Sequence, residues 1–325
     1  VGQGDAALIR SPAGRTVLVD GGPPQADDLL LRRLPALVQG PLDLVVLTHP
    51  HLDHLGGLPR VLQGVGARRF LDPGFEQPSE SYRDLLALLA RLKIPLRQPT
   101  LDPARPGQPV TIGLGEGASL TVLWPRRPVE PFLANTRSDA NANSVVMRLT
   151  HGNVHVLFTG DAEPDTEERL LELGAPLRAQ VLKVGHHGSR WASSAPFLAQ
   201  VRPEVAVISA GRGNDYGHPT PEALERLRAV GARVLRTDLA GELRLESDGT
   251  RVRVEPVGPA PPAAPGGGTP QAPAPAPGYT AYRGGPVFHR ADCRAAAKWT
   301  PAQREDFSRR EDAARGRRPA KDCDP

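Results

Sequence analysis

Thr48-His49-Pro50-His51-Leu52-Asp53-His54-Leu55-Gly56-Gly57 is the stretch on which the reading of this chain turns. Four metal-competent side chains, His49, His51, Asp53 and His54, fall within six residues. They directly follow Leu42 to Leu47, an apolar run that reads as a buried strand. A histidine pair two residues apart projects from one side of an extended or tight-loop backbone, and Asp53-His54 follows where the chain turns into a helix. Neutral imidazole and carboxylate are the ligands that Zn2+ and similar divalent ions take, and one such cluster can serve two adjacent ions. With nine histidines in 325 residues, three in one hexapeptide is not the scatter expected of a polar turn.

Outward from this loop, carboxylates and imidazoles recur where apolar runs end. Ala6 to Ile9 and Thr16 to Val19 read as a hairpin about Ser11-Pro12-Ala13-Gly14, and the second run ends at Asp20-Gly21-Gly22. Helical periodicity covers Asp27 to Val38, Leu55 to Leu62 and Glu80 to Leu92. Ser144 to Leu149 and Val154 to Thr159 form a second hairpin that ends at Gly160-Asp161. Ala179 to Val184 is a strand leading into Gly185-His186-His187-Gly188-Ser189, and Val205 to Ser209 precedes a loop carrying Asn214, Tyr216 and His218. Strands first, then strand–helix alternation, occur once in each half of residues 1–255, which is the pattern of a layered α/β sandwich with its polar residues on one edge.

Composition divides the chain further. Residues 256–278 hold nine Pro, five Gly and no charge, the signature of an extended, disordered linker. It separates residues 1–255 from a small module at 279–325. That module carries 11 Lys and Arg against 7 Asp and Glu, the whole formal charge of +4, so residues 1–278 balance at 29 against 29. The alkaline sequence pI of about 9.4 is therefore no sign of a nucleic-acid footprint on the main domain. No apolar run approaches the ~20 residues of a membrane-spanning helix. Only Cys293 and Cys323 occur, so neither a disulfide framework nor a thiolate site supports residues 1–255. Val1-Gly2-Gln3-Gly4-Asp5 starts abruptly, as if inside a strand, and reads as the beginning of a fragment or processed form. Linker and appended module favour an extracellular or cell-envelope protein, with a cytoplasmic one as the alternative.

The Thr-His-x-His-x-Asp-His-x-Gly-Gly loop at 48–57, with Asp20, Asp161, His186-His187 and His218, resembles the metallo-β-lactamase superfamily over residues 1–255. Val1 to Asp5, Asn141-Ala142-Asn143-Ser144, Leu182 to Ser189 and Asn214 to Pro219 are similar, more narrowly, to the hydrolase domain of the ComEC family of DNA-uptake proteins. The resemblance implies a four-layer αββα fold and a site for two divalent ions, Zn2+ or alternatively Mn2+. It puts His49 and His51 on the first ion, Asp53 and His54 on the second, and Asp161 on both. His186, His187 or His218 would complete the second ion's shell, with Asp20 orienting a ligand histidine. Where the superfamily usually has a further histidine for the first ion, this chain has Asn141 and Asn143, weaker ligands that suit a harder ion.

Two such ions, about 3.5–4 Å apart, acidify a shared water and stabilise a developing oxyanion, so the implied chemistry is hydrolysis. Asp53 would hold the water and move its proton. Lys183, one of four lysines among 40 basic residues, and Ser189 would hold an anionic substrate, with Tyr216 lining the pocket. The substrate expected is an anionic small molecule or a nucleic acid, DNA included. Ester, lactone or amide hydrolysis is the second reading, and a non-catalytic, metal-stabilised binding domain the third. The stretches Pro286 to Cys293 and Arg318 to Pro325 resemble a small Ada-like zinc module. Its candidate ligands for a structural Zn2+ are His289, Cys293 and Cys323, since Ala320 stands where that family has a cysteine. A disulfide between Cys293 and Cys323 is the alternative. Oligomeric state is not legible.

Overall fold

Alternation in the strands determines which layers pack together. In the computed structural model, which describes residues 1–257, 279–283, 287–290, 300, 303–307 and 318–319, the first sheet has the order β1 (Ala7–Arg10), β2 (Thr16–Val19), β3 (Leu44–Val46), β4 (Phe70–Leu71) and β5 (Leu96–Arg97). β1 is antiparallel to β2, and the next three pairings are parallel. The second sheet contains β6 (Thr111–Gly115), β7 (Ala118–Trp124), β8 (Val146–His151), β9 (Val154–Phe158), β10 (Val181–Lys183), β11 (Val205–Ile208) and β12 (Arg233–Arg236) in spatial sequence. β6 to β9 run antiparallel, whereas β9 to β12 are parallel.

Period-two alternation sends successive residues to opposite faces. Leu18, Val45 and Phe70 of the first sheet pack on the helical side with Leu58, Val61, Leu85 and Leu89. Their neighbours Val17, Val19, Leu44, Val46 and Leu71 pack instead with Val122, Met147, Val156, Val181 and Val205 of the second sheet. Leu157, Leu182, Ala206 and Ile208 face outward onto Leu170, Phe197, Leu198 and Leu227. Three apolar interfaces between helix, sheet, sheet and helix make four layers, the αββα sandwich expected from the sequence. β13 (Leu243–Ser247) and β14 (Val252–Pro256) add a separate antiparallel hairpin.

Several elements differ from the periodicity. Val1 to Ala6 is not strand; it is irregular chain that packs against the 48–57 loop, because Gly2 and Gly4 adopt positive φ. The helix at Asp27–Arg33 ends early, giving a single 3-10 turn at Leu34–Ala36, since Pro35 cannot donate the next helical hydrogen bond. The helix after the histidine loop is two pieces, Leu52–Leu55 and Leu58–Gly64, divided by the Gly56-Gly57 pair.

The chain divides into two compact units, Val1–Pro261 and Pro262–Pro325. In the second, β15 (Tyr279–Tyr282), β16 (Val287–Arg290), β17 (Arg304–Phe307) and β18 (Arg318–Pro319) form a sheet in the order β17-β15-β16-β18. His289 falls on β16 opposite Thr280. Cys293, Cys323 and the linker at 258–278 lie outside the described residues.

Candidate metal centre

The polar residues singled out by the sequence leave parallel strands at their carboxyl ends, where open α/β sheets place ligand sites. Asp20 follows β2, Thr48 and His49 follow β3, Asp161 follows β9, and His186-His187 follow β10. Backbone contacts draw these ends together. Gly21 N–H donates to His54 O at 2.7 Å, Asp5 N–H to Asp53 O at 3.2 Å, and Gly22 N–H to Asp5 O at 2.7 Å. Gly57 has to be glycine here: a Cβ would stand 2.2 Å from Gly21 O. Gly4, with φ of +145°, is equally confined by Asp53 O.

Asp161 is the hub. His54 Nε2 lies 3.2 Å from its Oδ1, while His49 Nε2, His187 Nε2 and His186 Nε2 lie 3.7, 3.7 and 3.8 Å from its Oδ2. Asp53 Oδ2 stands 3.1 Å from His187 Nε2 and 3.9 Å from His54 Nε2. His49 Nε2 and His51 Nδ1 face each other at 3.1 Å. Among the described residues, Asp53, His54, Asp161 and His187 have donor atoms all within 4.8 Å of one another, as do Asp5, Asp20 and His54. Of the three later histidines, His187 is thus the one gathered with Asp53 and His54. His186 Nε2 also faces Asp161 Oδ2, while its Nδ1 is committed to Glu163. His218 lies further out, its ring 6.3 Å from that of His187.

Two of the four imidazoles around Asp161 are held by a carboxylate on Nδ1, His54 by Asp20 and His186 by Glu163, while His49 Nδ1 lies 3.2 Å from the Thr48 hydroxyl oxygen. Asp20 Oδ2 is 2.8 Å from His54 Nδ1 and also accepts from the Thr48 hydroxyl at 2.8 Å, while Oδ1 accepts from Thr48 N–H at 2.7 Å. His187 Nδ1 has Ser209 O as its hydrogen-bond partner at 3.0 Å, and Asp5 Oδ1 stands 3.4 Å away as a neighbouring charge without a hydrogen bond. Glu163 Oε1 is 2.8 Å from His186 Nδ1. A proton held on Nδ1 leaves Nε2 turned toward Asp161, the arrangement by which outer partners orient ligand histidines; a bound cation would displace the Nε2 proton. His186 and His187 both take left-handed backbone, φ 45° and 53°. Such strain in successive residues persists only where the surroundings enforce it, and here it sends two neighbouring rings to two different carboxylates.

Charge in the centre is strongly coupled. Burial acts against the His54 proton, but Asp161 and Asp20 outweigh it and hold this imidazole well above its ordinary value. Burial likewise opposes the proton on His187, yet Asp161 and Asp5 push it up to about 10. His49 is driven well below the ordinary value by burial and then by the His54 charge. Burial would raise Asp161, but the surrounding imidazoles hold it well below the carboxylate range. His54 Nε2, Asp161 Oδ1 and Asn141 Oδ1 are nevertheless buried with no hydrogen-bond partner; the first two are close but misaligned. Convergent, unsatisfied nitrogen and oxygen donors fit divalent cations.

Other predicted residues are placed differently. Lys183 Nζ is 2.7 Å from Asp5 Oδ2 and donates to Val184 O at 2.9 Å, so its charge is spent on fixing the carboxylate beside His187. Asn143 is committed to the loop before it: Oδ1 accepts from Leu133 N–H, and Nδ2 donates to Leu133 O and Asp139 O. Asn141 alone of the two asparagines lies by the centre, with Nδ2 3.5 Å from His186 Nδ1. Ser189 is buried, and its hydroxyl accepts from Trp191 N–H. Tyr216 is 72% exposed at the rim. Asp5 and Glu163 were not among the sequence candidates. Their signals were present, an aspartate in the Val1–Asp5 motif and a glutamate two residues beyond Asp161, but nothing local says that either is buried behind a histidine.

A fold of two facing sheets with imidazoles and carboxylates on the shared strand ends defines a class. The chain belongs to the metallo-β-lactamase superfamily, whose family model, described as "Metallo-beta-lactamase superfamily", matches residues 1–125 and 140–212. Among curated proteins it is similar to "ComE operon protein 3" of Bacillus subtilis (strain 168), 29% identical over 262 residues, covering 75% of this chain and 32% of that protein. "Recombination protein 2" of Haemophilus influenzae is 30% identical over 263 residues, covering 78% and 29%. "Competence protein ComA" of Neisseria gonorrhoeae is 47% identical over 107 residues, covering 33% and 16%. The chain thus spans about a third or less of the length of these relatives. Among the described residues, no helix is long and apolar enough to cross a membrane.

Proposed function

We propose that this metallo-β-lactamase-fold, metal-dependent hydrolase is a phosphodiesterase acting on DNA. The observation that carries the hydrolytic part is the Asp161 hub, one buried carboxylate facing four imidazole Nε2 atoms within 3.8 Å. His49 and His51 would hold one divalent ion, and Asp53, His54 and His187 a second, with Asp161 available to both. Zn2+ suits this donor set, with Mn2+ as the alternative. Bound ions supply Lewis-acid activation of water and stabilise a developing oxyanion. The chain's own contribution is placement and proton transfer. Asp20, Glu163 and Ser209 O orient the rings of His54, His186 and His187, and Asp5 adds negative charge beside His187. Asp53, whose side chain is 35% exposed where Asp161 is 2%, is the carboxylate open to the cleft and able to take a proton from the attacking water.

The names "Competence protein" and "Recombination protein" of two relatives favour DNA as the substrate class, and the Pro/Gly-rich linker with its appended module favours the cell envelope as the place of action. Metal-loaded protein should cleave single-stranded DNA and bis-p-nitrophenyl phosphate while leaving nitrocefin and a simple lactone intact, and His51→Ala should abolish the cleavage. Turnover of the lactam or lactone with DNA untouched would overturn the assignment.

A further inference from the structure

Beside the metal centre, one large aromatic ring is left facing solvent. Tyr216 is 72% exposed, and its ring lies over that of His218 at 28° and 5.9 Å between centroids. His218 lies in turn at 30° and 6.3 Å from His187. Three rings, each tilted about 30° from the next, therefore lead from solvent to the imidazole gathered with Asp53 and Asp161. The loop that carries them is pinned by Asn214. Its Oδ1 accepts from Tyr216 N–H at 3.2 Å and His218 N–H at 3.0 Å, while its Nδ2 donates to Gly211 O and His218 O. An exposed phenol on a backbone this well fixed is pre-organised, so little freedom is lost when a planar group lies on it. The Arg137 guanidinium lies 3.5 Å from Glu163, the carboxylate that holds His186, and 4.3 Å over the Trp191 ring, and it remains 52% exposed. The rim thus offers a planar face and a cation, the two features that grip a base and the phosphate beside it.

We propose that Tyr216 is a stacking platform for a nucleobase of single-stranded DNA, setting the nucleotide that enters the cleft. This rests on the phosphodiesterase reading and narrows its substrate to one carrying a planar base next to the scissile phosphate. Base–aromatic stacking tolerates any base, because every base has a π-face. The protein should therefore prefer bases over no base without strong sequence preference.

The test compares kcat/KM for a short thymidine oligonucleotide with that for an abasic oligonucleotide of equal length, using the metal-loaded chain and its Tyr216→Ala and Tyr216→Phe variants. The expected result is a preference for the base-bearing strand that falls about tenfold in Tyr216→Ala, mainly through KM, and is kept by Tyr216→Phe, with metal content equal in all three. A preference unchanged in Tyr216→Ala overturns the proposal, as does wild-type cleavage of both strands at one rate, which would leave the phosphodiesterase assignment standing. If no phosphodiester is cleaved, that assignment fails. Anisotropy of a labelled thymidine oligonucleotide then decides the platform by itself: weaker binding to Tyr216→Ala supports it, and equal binding overturns it.

Discussion

The loop after β3 and the loop after β10 supply the two banks of one centre by opposite means. At 48–57 the metal-competent residues are contiguous, and a helix begins at Leu52 within the motif. At 185–189 the backbone is strained, with two successive left-handed histidines, and each ring depends on partners elsewhere: Glu163 for His186, and Ser209 O with the nearby Asp5 charge for His187. The first loop carries its instructions in its own sequence. The second is specified by the fold, because Asp5 reaches it only once the amino-terminal segment has packed on Asp53.

The largest effect should come where the two banks meet. Asp161→Ala leaves the imidazoles of both loops without their common counter-charge, and breaking a buried charge pair of this kind costs about 3–5 kcal/mol. Denaturant unfolding of chelator-treated protein should show that loss, and metal-supplemented variant should bind neither ion tightly. Retention of both ions by Asp161→Ala would break the idea of one shared centre.

Next come the carboxylates behind the rings. Asp20→Asn weakens the first loop's hold on His54, and Asp5→Asn the second loop's hold on His187; outer partners of this kind are worth about 10–100-fold in metal affinity or activity. Competition titrations with a chromophoric chelator should find losses of that order in both variants. A neutral Asp5→Asn with an impaired Asp20→Asn would show that the second loop does not need the amino-terminal segment.

This contrast also explains what was legible in advance. Asp20, His49, His51, Asp53, His54 and Asp161 all sit in local patterns, a carboxylate or imidazole ending an apolar run; strand–helix alternation indicated a layered α/β sandwich, and the resemblance to the superfamily implied its four layers. The choice among His186, His187 and His218 was not legible, because it depends on positive φ at two non-glycine residues. Lys183 has the type and the strand-end position of an anion holder; its pairing with Asp5 joins residues far apart in the chain, which no local pattern shows. Asn143 could not be told from Asn141 until the 126–141 loop closed on it through Leu133.

A smaller effect is a slope with pH in the metal-free protein. His187 holds its proton up to about 10 in the folded chain and near ~6.5 when unfolded. Its stabilisation is fully present below ~6.5 and is lost as pH rises toward 10, and His54 acts in the same direction. Melting temperatures of chelated protein should therefore decline across that window, whereas the metal-loaded form should be flatter, its imidazoles being already deprotonated. A chelated protein that gains stability from pH 6.5 to 10 would contradict the charge assignment.

Metal content measured by elemental mass spectrometry, on the wild type alongside His51→Ala and His187→Ala, tests the shared centre most directly. Two ions per wild-type chain are expected, with one lost when either loop is altered. A single ion in the wild type, or two ions surviving in either variant, would contradict it.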